Sequence, residues 1–135
     1  MNVLFVCKYN VGRSQIAEAF FNKMSKNHQA TSAGTHVEGD LDEHKEGFRK
    51  VITAMKELDY DLSKIKRKQL TEQMFNEADK VVVITEKENL PAYARNSSKV
   101  VLWKIEDGKG QSYEFICKMR DDIKPLVERL AEEVG

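Results

Sequence analysis

Five residues separate Cys7 from Arg13, and Ser14 follows at once, in the stretch VLFVCKYNVGRSQIAEAFF that begins at Val3. An apolar, β-rich run ends at the thiol, and an apolar pattern with helical spacing starts at the guanidinium. A strand–loop–helix of this kind gathers backbone N–H groups around one point and adds the positive end of a helix. Such a nest holds an oxyanion. Arg13 can grip that anion with two parallel hydrogen bonds, which a lysine cannot do. Helix N-termini and adjacent cations lower a cysteine pKa from about 8.5 to roughly 3.5–7.5, so the cradle that binds the anion also favours a thiolate. Ser14 is placed to give the sulfur a hydroxyl hydrogen bond. The chemistry that needs these residue types at this spacing is nucleophilic attack on a tetrahedral oxyanion: Arg13 holds it and Cys7 attacks it.

The plain alternative is an inert thiol ending a buried strand, since free cysteine is among the most buried residue types. The spacing decides against it. Gly12 offers a backbone conformation that other residues resist. Asn10 tolerates left-handed geometry and can bond the backbone across a tight loop. Lys8, Tyr9, Asn10, Val11, Gly12, Arg13 and Ser14 together form the candidate phosphate-binding loop. Cys117 fails the same reading, because Ile123 stands where the arginine would be needed. Its place beside an apolar helical stripe assigns it to packing.

These residues need a frame. The run Asn2–Cys7 reads as a buried parallel strand, followed by a helix over 13–26 with Ile16, Ala17, Ala19, Phe20 and Met24 at helical spacing. A weaker strand fits 29–33, closed by Gly34. A helix fits 48–58, with Phe48, Val51, Ile52, Met55 and Leu58 on one face. A short helix capped by Thr71 precedes the clearest strand, 81–85. The stretch ENLPAYARNSS is irregular, or a short helix broken near Pro91. A fourth strand fits 99–105. A last helix fits 113–133, with Phe115, Met119, Ile123, Val127 and Leu130 inward and Pro125 kinking it or starting a new segment. Strands alternating with helices predict an α/β single domain: a four-stranded parallel sheet with helices on both faces. Ligands bind beyond the carboxyl ends of such strands. Cys7, Thr85 with Glu86, and the loop after Trp103 all fall there, so Cys7 and Asp107 are expected on one edge.

The 135 residues suit one domain, and 22 Lys+Arg against 22 Asp+Glu argue against a nucleic-acid binder, whose footprint is basic. The basic cluster KIKRK, 64–68, reads as a solvated surface loop. Two cysteines are too few for a secreted disulfide scaffold. No apolar run reaches membrane length and no signal segment is evident, so the expectation is a cytoplasmic protein that engages no membrane. His36 and His44 match no metal-ligand spacing and read as a solvated loop, and no metal or cofactor is implied. GTHVEGD nearly matches a Walker loop, but Asp40 stands where lysine is required.

Taken in order, VLFVCKYNVGRSQIAEAFF, TSAGT, DYDLS, ADKVVVIT and EDGKG resemble the low-molecular-weight protein tyrosine phosphatase family, including its arsenate reductase branch, over nearly the whole chain. The resemblance implies the phosphotyrosine protein phosphatase I-like fold. It implies Cys7 as nucleophile and Arg13 as oxyanion clamp, with Asn10 and Ser14 shaping the loop and Ser32 bracing the loop asparagine. Expulsion of an alkoxide or phenolate needs a proton donor. The family carries an aspartate after the last strand, which implies Asp107, with Glu106 as its neighbouring competitor. An Asp-Gly turn is the plain reading of Asp107.

Several positions depart from the family pattern. Gly12 stands where many members carry a second loop cysteine, and Gly108 replaces the usual proline. Lys109 takes a place often held by an aromatic, while Lys8 and Tyr9 replace an apolar residue and a glycine. Tyr9, Trp103 or Tyr93 would have to wall the substrate slot. RSQIAE, with Trp103 four residues before Asp107, looks like the arsenate reductase branch, yet ITEKENLP lacks the resolving cysteines of the thioredoxin-coupled members. Three functions remain open. One is hydrolysis of a phosphorylated protein or small phosphomonoester. Another is arsenate reduction with an external thiol or redox partner. The third is a phosphate-binding module without turnover.

Overall fold

Each strand of the sheet ends at the same edge, and that alignment builds the site. The computed structural model describes residues 1–37 and 44–135. Strands β1 (Asn2–Cys7), β2 (Gln29–Gly34), β3 (Lys80–Val83) and β4 (Val100–Leu102) form one parallel sheet in the order β2-β1-β3-β4. Cys7 pairs with Gly34, Val6 with Val83, and Val83 with Leu102, which sets all four carboxyl ends level. The order reverses between β1 and β3, the crevice where open α/β sheets bind ligands.

Strand β1 is apolar throughout because both its faces are covered. Val3, Phe5 and Cys7 face a core built with α1 (Arg13–Met24), α2 (Lys45–Lys56) and α5 (Tyr113–Val134). Leu4 and Val6 face a second core with α3 (Glu72–Glu77) and α4 (Ala92–Arg95). The α/β class, the parallel four-stranded sheet and helices on both faces are as the sequence predicts. Among the described residues no helix is long and apolar enough to cross a membrane.

Caps explain where helices begin. Thr71 Oγ1 accepts from Met74 N at 3.1 Å and starts α3, as expected. Ser112 Oγ accepts from Phe115 N at 3.2 Å and starts α5. Of the two readings of Pro125, the start of a new segment falls away: α5 continues through it to Val134. Pro125 is exposed, so water can serve the carbonyl it frees, while buried Ile123 and Val127 hold the helix on either side. Within α5, buried Ile116 takes the inward place assigned to Phe115, which is half-buried. Strand β4 is three residues, shorter than 99–105, because the chain leaves the sheet to form the loop at the site. Gly12 has φ −118°, which any residue adopts. Its constraint is steric: a Cβ there would lie 3.1 Å from Met119 Cε and 3.5 Å from Val51 Cγ2. The Walker-like stretch runs into 38–43, outside the described residues.

Candidate active site

Asn10 is the hub of the loop after β1. Its φ of 55° turns the chain back on itself, and it is completely buried. Nδ2 donates to Ser14 Oγ at 2.7 Å and to Ser32 Oγ at 3.1 Å. Oδ1 accepts from Gln15 Nε2 at 3.1 Å and from Lys68 N at 2.9 Å. All four positions of the amide are used. Ser14 Oγ, with Asn10 as donor, lies 2.9 Å from Cys7 Sγ and can turn its own proton to the sulfur. Ser32 in turn hydrogen-bonds the half-buried Glu18, whose carboxyl is pushed up by burial against the opposing pull of Lys68 and Ser32. Replacing Asn10 with alanine strands buried polar groups and removes a residue type that tolerates positive φ. We expect a stability loss of about 3 kcal/mol, read as a lower urea midpoint at unchanged slope.

The brace that holds this loop was not visible in the sequence. Segment 66–68 runs behind it: Arg67 Nε donates to the Tyr9 carbonyl at 3.0 Å, and the Lys66 carbonyl accepts from Gln15 Nε2 at 3.4 Å. Lys68 O accepts from Gly34 N at 2.8 Å. The KIKRK cluster is therefore more than a solvated loop: its lysine side chains are exposed, but its backbone buttresses the anion cradle. On the other side, His36 N donates to Lys8 O at 2.7 Å and Thr35 N to Cys7 O at 3.0 Å. Gly34 is required by this close approach, since a Cβ would sit 2.8 Å from Lys8 O and 2.9 Å from Asn10 N.

A cavity of about 210 Å³ opens above Cys7, walled in part by Tyr9, Val11, Gly12, Arg13, Asp107 and Lys109. Cys7 is 2% exposed, which puts its sulfur at the cavity floor. Helix α1 starts without a side-chain cap, so its first N–H groups are available to an anion. Arg13 is buried; Nη1 donates to the Ile105 carbonyl at 3.1 Å, and Nη2 lies 3.8 Å from Asp107 Oδ2. The carboxylate divides its work: Oδ1 accepts from Lys109 N at 3.1 Å, closing the Asp-Gly turn, while Oδ2 faces the guanidinium. Glu106 is exposed and does not line the cavity. Gly108 is buried so tightly that a Cβ would fall 2.5 Å from Ile116 Cδ1. Lys50 Nζ holds the far end of the loop through the Gln111 carbonyl at 2.8 Å.

Of the three aromatic residues considered for the slot, Tyr9 lines the cavity. Trp103 packs on Phe5 and Tyr93 on Phe75, each half-buried against a core. Lys109 Nζ sits over the Tyr9 ring at 4.7 Å and Lys8 Nζ at 5.1 Å. His44 is buried against the Tyr9 ring, with centroids 4.7 Å apart, rather than in a solvated loop. Glu86, at the end of β3, is held below the usual carboxylate range by its own backbone N–H and the Thr85 hydroxyl, with help from the Arg13 and Lys8 charges. Among the described residues no three His, Cys, Asp or Glu side chains gather as a metal site. Sequence reasoning missed the cavity walls supplied by α2 and α5, namely Glu46, Lys50, Val51, Ile116 and Met119, because no local motif marks them.

The sequence profile described as low molecular weight phosphotyrosine protein phosphatase matches residues 2–135. The chain belongs to this family. Low molecular weight phosphatases also supply its structural likenesses: one from T. tengcongensis is 28% identical, with a TM-score of 0.83 over 98% of this chain and 99% of that one. A YwlE mutant from Bacillus subtilis is 25% identical with the same TM-score, over 99% and 98%. Among curated proteins, an arsenate reductase from Staphylococcus xylosus is 29% identical over 93% of this chain and 92% of its own length. Family membership makes the chain an enzyme of the phosphatase and arsenate reductase group, with phosphorylated substrates or arsenate as its targets.

Proposed function

We propose that this chain hydrolyses phosphomonoesters, acting on a phosphorylated protein or a small phosphorylated molecule in the cytoplasm, with Cys7 as nucleophile. One observation carries the reading: Arg13 is held by the Ile105 carbonyl and stands beside Asp107 in the cavity that Cys7 floors. The loop amides and the Arg13 guanidinium neutralise the equatorial oxygens of a bound phosphoryl group. Cys7 Sγ attacks phosphorus, and the bond to the ester oxygen breaks as Asp107 gives that oxygen its proton. Water then attacks the cysteinyl-phosphate, Asp107 takes a proton from it, and the sulfur leaves as thiolate with release of inorganic phosphate. Asp107 is favoured over Glu106 because it lines the cavity. Asn10, Ser14 and Ser32 hold the loop and the sulfur in place.

A second reading rests on the curated relatives, which are named arsenate reductases. Cys7 would attack arsenic, and reduction from As(V) to As(III) would draw two electrons from two thiols that leave as a disulfide. The second thiol would come from outside, as a small-molecule thiol or a glutaredoxin-like partner, since 86–90 carries no cysteine. Cys117 Sγ faces Glu57 at 3.7 Å.

Parallel assays of one preparation separate the two. The phosphatase reading expects release of phosphate from an aryl phosphate and no arsenate-dependent consumption of thiol; the reverse result overturns it. Asp107→Asn adds a mechanistic arm. On a poor leaving group such as phenol, kcat/KM, which reports the steps up to the cysteinyl-phosphate, should fall by about 100-fold, whereas that of a strongly activated nitrophenyl ester should fall little. Equal losses on both esters would remove Asp107 from the acid's role.

A further inference from the structure

Two glycines flank the charged groups of the site: Gly12 directly precedes Arg13, and Gly108 directly follows Asp107. One side chain reaches both. A Cβ on Gly12 would lie 3.1 Å from Met119 Cε, and a Cβ on Gly108 would lie 3.4 Å from Met119 Sδ and 3.6 Å from its Cε. Met119 is 4% exposed and lines the cavity above Cys7. It stands on α5 three residues beyond Ile116, so the two share a helix face. Ile116 closes on the same glycine, with its Cδ1 2.5 Å from where a Gly108 Cβ would be. The thioether is thus wedged between the loop that carries the nucleophile and the loop that carries the acid. Arg13 joins the same two loops through polar contacts, at 3.1 Å to the Ile105 carbonyl and 3.8 Å to Asp107 Oδ2. Met119 joins them through apolar ones.

We propose that Met119 is a positioning residue that sets the spacing between Cys7 and Asp107, a role that rests on the phosphatase reading above. The two loops are held in different ways. The phosphate loop is locked by the Asn10 amide, which bonds Ser14, Ser32, Gln15 and Lys68. The acid loop is held at its ends, by Arg13 on the Ile105 carbonyl and by Lys50 on the Gln111 carbonyl. Between those ends Gly108 seats on Ile116 and Met119. Asp107 is the next residue, so its carboxylate follows that seat. Methionine suits the place, because an unbranched thioether fills an irregular gap that a branched side chain leaves open. A general acid works only within hydrogen-bond reach of the oxygen it protonates, and a misplacement of about 1 Å can cost about 100-fold in rate. A side chain with no proton to give therefore governs the proton transfer, by fixing how far the acid stands from the sulfur.

The test is Met119→Leu, read with phenyl phosphate and the activated nitrophenyl ester. Leucine conserves volume closely enough to keep the fold, but it ends where the methionine sulfur stands and lacks the methyl that reaches Gly12. On phenyl phosphate kcat/KM should fall by about tenfold, and on the nitrophenyl ester by less than about threefold. The dissociation constant for inorganic phosphate should stay within about twofold of wild type, because the phosphate loop keeps its own bonds. In an Asp107→Asn background the same exchange should cost no more on phenyl phosphate than on the nitrophenyl ester, since the group it positions is gone. Gly108→Ala disturbs the same seat through Ile116 and should show the same split between the esters. A merely structural role would lower both esters alike and would persist without the acid. Equal losses on the two esters in either variant, no loss on phenyl phosphate, or a loss undiminished in the Asp107→Asn background overturns the inference and leaves the phosphatase reading intact. Weakened phosphate binding also overturns it, assigning Met119 to the phosphate loop alone. A wild-type protein that releases phosphate from neither ester overturns the phosphatase reading, and this inference falls with it.

Discussion

Cys7→Ser is expected to stop turnover. The expected fall in kcat on an aryl phosphate is about 10⁴–10⁶-fold, the scale seen when a hydrolase loses its nucleophile. The hydroxyl is a far weaker nucleophile than a thiolate, and Ser14 Oγ, at 2.9 Å, is already engaged by Asn10 and is no base for it. Binding should survive. The anion is held by loop amides and Arg13, and serine keeps the hydrogen bond to Ser14, so the dissociation constant for inorganic phosphate should stay within about threefold of wild type. Isothermal titration with phosphate, beside the rate assay, checks both halves. A variant that keeps more than a hundredth of the activity would show that Cys7 does not form the bond to phosphorus. A variant that loses phosphate binding as well would show that the sulfur supports the loop instead of reacting.

The central loop was legible because its information is local. Cys7, Asn10, Arg13 and Ser14 lie within eight consecutive residues, and strand, turn and helix each leave their own pattern there. Asn10 could be read as left-handed from its residue type alone, and it is. The level edge of the sheet was legible for a different reason: parallel strands joined by helices leave few topologies, so Cys7 and the loop after β4 had to meet. What failed to show was everything that depends on chain segments meeting from afar. The Arg67–Tyr9 and Lys68–Asn10 bonds each span 58 residues, and no periodicity in KIKRK distinguishes a brace from a solvated run. His44 read as polar loop because its partner ring, Tyr9, lies 35 positions away. For Gly12 the residue type suggests backbone freedom, but its requirement is steric: its neighbour is the Met119 methyl from α5, a packing fact with no trace in local sequence.

Helices α2 and α5 also meet away from the sulfur. Glu57 accepts from the Tyr113 hydroxyl, and Arg120 Nη1 donates to the Ala54 carbonyl at 2.7 Å while lying 3.8 Å from Glu57. The Tyr113 hydroxyl is held well above its ordinary pKa, chiefly by that bond to Glu57. Asp121 is exposed, yet it pairs with buried Arg120 at 2.8 Å. These contacts fix where α5 begins, and α5 begins where the Asp107 loop ends. The position of the carboxylate thus depends on a polar cluster that shares no motif with it.

Arg13→Lys tests how far geometry, rather than charge, drives the chemistry. Lysine keeps the positive charge but loses the fork that meets two phosphoryl oxygens at once. It also cannot reach the Ile105 carbonyl, the Asp107 carboxylate and the anion together, as the guanidinium is placed to do. Losing one preorganised donor costs about 10²–10³ in rate, and here the acid loop loses its tether as well. We expect kcat/KM on an aryl phosphate to fall by about 10³-fold, with kcat reduced and KM raised, while the thermal midpoint moves by only a few degrees. The split carries the diagnosis. A higher KM with kcat unchanged would confine Arg13 to ground-state binding. Retention of activity within tenfold would mean that a point charge suffices in this cavity, and the two-pronged grip would have to be abandoned.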